Sequence, residues 1–153
     1  MTLVLVFLIG FFAGLRSLTA PAATAWAGYL GWLRLESPLS LIGTLPSVLI
    51  FTIAAVAELV ADKLPKTPSR TSPPGLIARI VMGGLTGACV AASAGHSALL
   101  GAGLGAVGGV VGCFAGYHAR TRLVKALGTP DFYVALVEDV VAIGGSLWVV
   151  SQL

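Results

Sequence analysis

Apolar residues fall in six runs, each closed by a short cluster of glycine, proline, hydroxyl or charged residues. The runs cover about 2–17, 20–34, 45–64, 74–94, 98–124 and 130–151, and each predicts a helix. Local chemistry explains the breaks. Thr19 with Pro21, Thr44 with Pro46, and Ser72 with Pro73 each place a candidate N-cap beside a proline in a first helical turn. At Gly128-Thr129-Pro130-Asp131, glycine can end one helix while threonine, proline and aspartate open the next. No Asp, Glu, Lys or Arg occurs from Ile80 to Tyr117, too long a stretch for one span, so Ala94–Ser97 predicts the turn of a helical hairpin. A bilayer core takes roughly 20 helical residues. The first two runs are short for that and would have to tilt, thin the bilayer, or form a broken or re-entrant pair.

Composition sets the class. The 153 residues are 57% hydrophobic and 10% charged, with mean hydropathy +0.97. Soluble domains carry roughly 25% charged residues. The expectation is an all-α integral membrane protein with about six membrane helices in a single membrane domain over 1–153. Disorder is excluded by the abundance of apolar surface. The first run lacks a basic segment ahead of it and reads as a retained helix, not a cleaved signal peptide.

The net charge of +3 does not point to nucleic acid, because the bases sit at the ends of apolar runs. With six spans, eight of nine bases fall on one side and only Arg34 on the other. The positive-inside rule then puts both termini outside the cytoplasm. A short similarity between Gly10-to-Gly14 and Gly83-to-Gly87, and between the acidic segments near Glu58 and Glu138, suggests a 3+3 inverted repeat with halves 1–68 and 73–153. Gly101, Gly105, Gly108, Gly112 and Gly116 share much of one helical face and predict close helix packing, with a glycine-lined path as the alternative. Such a face also offers a contact for a homodimer. Cys89 and Cys113 read as small buried side chains, with an interhelical disulfide as the alternative. Trp26, Tyr29 and Trp32 predict an interfacial aromatic patch.

Charge inside apolar runs is costly and needs a partner, water or a bundle interior. That singles out Arg16, Glu58, Asp62, Arg79, Glu138 and Asp139. Glu58 and Asp62 share a helix face, while Glu138 and Asp139 point in different directions. A structural reading pairs Arg16 with Glu58 or Glu138, and Asp62 with Lys66. A functional reading has Glu58 and Glu138 flank an ion or proton path that Asp62 and Asp139 tune. Arg16, Ser17 and Thr19, at the start of the second helix, could receive an anion through free amides and the helix dipole. That anion could equally be a lipid phosphate. His118, near Arg120, could titrate near neutral pH. His96 reads as a turn residue. No compact ligand motif assigns a metal, no cofactor is called for, and no HExxH or GxSxG motif supports an enzyme.

GLRSLTAPAATAW at 14–26, AELVADKLPKTPSRTSPP at 57–74, GAVGGVVGCFAGYHAR at 105–120 and ALVEDVVAIGG at 135–145 together resemble the DUF4126 family of small bacterial membrane proteins. The resemblance runs over nearly the whole chain and implies a multi-pass protein of the bacterial inner membrane. It carries no substrate. The functional expectation is a small transporter or channel-like permease for an ion or small polar solute, in contact with membrane lipids. The alternative is a noncatalytic scaffold or lipid-interacting protein.

Overall fold

Glycine and proline punctuate the chain where their backbone chemistry requires it. In a computed structural model covering residues 1–153, the helices are α1 (Thr2–Leu15), α2 (Thr19–Tyr29), α3 (Leu45–Ala61), α4 (Pro73–Ser93), α5 (Ala98–Leu127) and α6 (Asp131–Val150). A 3-10 turn at Leu39–Gly43 precedes α3. Gly128 ends α5 in the left-handed conformation at φ 60°, with its N–H donating to the Val124 carbonyl. Gly31, at φ 79°, lies just past the end of α2. It stops that helix short of the position 34 expected from hydrophobicity, because apolar character continues through Leu33 after helical geometry has ended. The caps are less regular than the sequence suggests. Thr19 is the first residue of α2 and not its cap, and Thr44 and Ser72 hold cap positions without side-chain cap bonds.

The expectation of six membrane helices is overturned. Three helices, α4, α5 and α6, are long and apolar enough to cross a membrane. α1 and α3 are apolar but have 14 and 17 residues, and α2 has 11. At 1.5 Å per residue, 14 residues extend about 21 Å, well short of a bilayer core of about 30 Å. The inverted repeat also fails. Its halves would equate α2, 11 residues long, with α5, 30 residues long. They would also equate the α1–α2 contact, a minor one, with α4–α5, the most extensive interface in the bundle. The glycine pairs in α1 and α4 match for another reason: both helices dock on α5.

That docking is backbone against backbone. A Cβ at Gly10 would collide with the Gly105 carbonyl, one at Gly108 with the Phe7 carbonyl, and one at Gly112 with the Phe11 carbonyl. On the neighbouring face, Gly105 meets Gly83, and Gly101 meets Gly87. The glycine stripe therefore packs helices together. Small residues substitute for the hydrophobic drive that lipid cannot supply between helices. Cys89 and Cys113 are buried and unbridged.

α1 lies against α4, α5 and α6, with Leu5, Val6 and Ile9 in one cluster with Val90, Ala91, Val149 and Val150. Its start thus lies level with the ends of α4 and α6. Its own end, at Gly14, reaches only as far as Arg79 of α4, whose Nε donates to the Gly14 carbonyl at 3.0 Å. The chain then reverses at Arg16–Leu18, and α2 runs back to the same end, where the Arg34 N–H donates to Ser93 Oγ at 3.0 Å. α1 and α2 form a hairpin whose tip stops inside the bundle.

Gly105→Ala should destabilise the protein by roughly 1–3 kcal/mol, because the added methyl meets the α4 backbone at both Gly83 and Gly87. Gly103→Ala, where nothing lies within 4 Å, should not. Thermal unfolding in detergent checks both, and equal midpoints would contradict the close-packed interface.

Candidate functional site

The hairpin tip leaves backbone amides at the start of α2 without helical partners, a cost that grows away from water. Glu58, near the end of α3, supplies the missing acceptor. Its Oε1 accepts from Ser17 N–H at 2.9 Å and Ser17 Oγ at 2.6 Å, and its Oε2 accepts from Leu18 N–H at 2.8 Å. Arg79 Nη2 stands 3.9 Å from Oε1. The anion site expected around Arg16, Ser17 and Thr19 is therefore occupied by a carboxylate of the same chain.

Arg16 itself is fully buried. Its Nε donates to Asp139 Oδ1 at 2.7 Å. Nη2 lies 2.5 Å from the same oxygen, and Nη1 lies against Asp62, in ionic contact outside hydrogen-bond geometry. The expected pairing with Glu58 or Glu138 is not the one formed. Lys63 Nζ closes on the other Asp139 oxygen at 2.5 Å. Asp62 turns to Arg16 and Arg120, the latter at 2.7 Å, and not to Lys66. Pro65 follows the end of α3, so the helical spacing that would bring Lys66 back to Asp62 is lost.

Glu138 faces away from Asp139 and is gripped by Arg70, whose Nη1 and Nη2 approach both carboxylate oxygens, the second at 2.8 Å. Gly116 makes room for this bridge, since a Cβ there would meet Arg70, Glu138 and Leu15. Arg120 joins the network to α6 through Asp131, with Nε donating to Oδ1 at 2.7 Å, and lies 3.5 Å from Glu138. Four bases and four acids are thus interlocked, with Arg79 and Glu58 a separate pair beside them, and each set is formally neutral. The net charge of +3 resides in exposed Arg34, Lys66, Arg122 and Lys125 against exposed Glu36.

The segment 62–72 arches over this network. Two polar cavities lie beneath it, of about 470 and 260 Å³, and both are lined by Asp62, Thr67, Ser69 and Arg70. The smaller one reaches Glu58 and Arg79. Asp62 lies just beyond α3. Burial acts to raise its carboxyl pKa, but the hydrogen bond from Arg120 and the charges of Arg16 and Arg120 outweigh it and hold the group below the usual range.

Of the candidate residues, the structure joins Arg16, Asp62, Glu138 and Asp139 in one network and seats Ser17 against Glu58 at its edge. Thr19 is buried with its hydroxyl unpartnered, on the wall of an apolar cavity between α2, α3 and α6. His118 is exposed, its ring edge-to-face with Tyr117, outside the network. Lys63, Arg70, Arg120 and Asp131 are the network members that the candidate set lacks. One available signal was the cost of leaving Glu138 unpaired within a helix of mean apolar character.

A family model described as "Domain of unknown function (DUF4126)" matches residues 3–152. The chain belongs to the DUF4126 family. Its resemblance segments account for much of this DUF4126 site: the first carries Arg16 and Ser17, the second Glu58 through Arg70, and the last Glu138 and Asp139. It is a multi-pass membrane protein, in keeping with the inner-membrane location the family implied. No curated protein and no solved structure matches this DUF4126 chain.

Glu58→Ala should destabilise the DUF4126 protein by about 1–3 kcal/mol, since it strands two part-buried amides, and Glu58→Gln by less. Asp62 gives a pH test. Its folded pKa lies below the unfolded one, so its stabilisation is complete above the ordinary carboxylate value of about 3.9 and fades as pH falls through the lower folded value. Melting temperature in detergent should hold from pH 7 to about 5 and fall below about 4. Asp62→Asn should lower the plateau and lessen the acid drop; an unchanged acid drop would contradict the assignment.

Proposed function

We propose that this chain is a small, non-enzymatic permease for an ion or small polar solute, seen with its path closed. The observation that carries the reading is the seat of Glu58: a tethered carboxylate holds the amides of Ser17 and Leu18 where a polar cavity ends. A solute entering beneath the 62–72 segment would reach this point with Arg79 beside it. Displacement of Glu58 would free two N–H donors and the positive end of α2 for a negative or polar group. Passage beyond it requires the Arg16 contacts with Asp62 and Asp139 to part, so the ion pairs serve as the barrier.

One observation favours a second reading. Every acid except Glu36 is already paired, as a noncatalytic scaffold would require. Flux separates the two. Purified protein in liposomes, tested across a panel of monovalent anions, cations and protons, should move at least one faster than empty liposomes. Glu58→Gln weakens the plug and should change that rate about tenfold, equivalent to roughly 1.4 kcal/mol. Glu36→Gln, outside the network, should not. Properly inserted wild-type protein moving nothing across the panel would favour the scaffold.

A further inference from the structure

A groove of about 270 Å³ opens between α5 and α6 on the flank of the bundle. Ala119 and Leu123 form one wall, Val137 and Val141 the other, with Leu15 of α1 behind them. The spacing of these residues by three or four places them along one face of each helix. Arg120 and Glu138, 3.5 Å apart, are the charged residues in this apolar lining. Arg120 also lines the 470 Å³ polar cavity, together with Lys125, Thr121 and Tyr117 and with Asp62 and Asp131, the carboxylates its guanidinium bonds. An apolar space open to the side and a polar space at the helix ends therefore meet at one guanidinium. That pattern fits an amphiphile and neither a wholly polar nor a wholly apolar ligand.

Charge settles which amphiphile. Lys66, Arg122 and Lys125 are exposed and lie within ion-pair distance of no acid, unlike the bases of the neutral network. Arg122 and Lys125 stand on the same final turns of α5 as Arg120. We propose that this composite site binds an acidic phospholipid, its phosphate toward the unpaired Lys125 and one acyl chain in the α5–α6 groove. Basic clusters at helix ends select anionic headgroups in this way, and the groove adds a length of buried chain that a free phosphate lacks. The site is separate from the Glu58 seat and does not depend on the permease reading.

The test uses the full-length protein in neutral detergent, with melting temperature followed against phosphatidylglycerol, phosphatidylcholine and inorganic phosphate. Phosphatidylglycerol should raise the midpoint, phosphatidylcholine much less, and inorganic phosphate not at all. Lys125→Gln, at an exposed position, should weaken the apparent affinity for phosphatidylglycerol about fivefold. Ala119→Phe fills the groove and should abolish the shift. If that variant lowers the lipid-free midpoint, Val137→Phe on the opposite, exposed wall replaces it. An equal shift from phosphatidylcholine would overturn the headgroup assignment. A shift from inorganic phosphate alone, or one that survives filling of the groove, would overturn the lipid.

Discussion

A guanidinium with no exposure ends α1, and the fold around it is organised to keep that charge tolerable. Arg16 sits at the tip of a hairpin that stops inside the bundle, where water is scarce and an unpaired ion would be costly. Two acids from separate elements converge on it, Asp62 after α3 and Asp139 within α6. Each then needs its own second partner, Arg120 or Lys63, and the chain of obligations spreads to Glu138 and Arg70. A neutral lattice results, and it ties α1, α3, α5, α6 and the 62–72 segment together. Glu58 plays the matching part for the backbone, accepting the amides that the reversal at Ser17 and Leu18 exposes.

The glycines make that placement geometrically available. α1 can bring Arg16 to the depth of Arg79 and Asp139 only by lying directly on the backbone of α5 through Gly10, Gly108 and Gly112. Packing and electrostatics are thus one arrangement: close approach fixes the depth of the hairpin, and depth fixes which carboxylates reach the guanidinium. The exposed surface left over is divided between apolar side chains such as Ile50, Ile53 and Val140 and a few unpaired bases at the helix ends.

Much of the helical framework was legible in sequence, because glycine and proline act locally. Gly128 ends α5, and Pro73 opens α4, for reasons contained in a few residues. The divergence of Glu138 and Asp139 was legible too, since adjacent helical residues cannot share a direction. The number of crossings was not. Hydrophobicity runs on through Leu30 and Leu33 although helical geometry ends at Tyr29, and a short helical hairpin has the same apolar signature as two short spans. Nor was the pairing of charges, which depends on how far α1 slides along α5 and on how α6 is rotated. Arg70 and Asp62 lie far in sequence from Glu138 and Arg120, partners that only the assembled bundle brings near.

The central claim is that Arg16 and Asp139 stabilise the hairpin tip as a pair. A double-mutant cycle with Arg16→Met and Asp139→Leu, read by unfolding in detergent, tests it most directly. Each single change should cost roughly 3–5 kcal/mol by leaving a buried charge uncompensated, and the double change far less than their sum. Additive costs would contradict the account, because they would mean that the two residues support the fold independently.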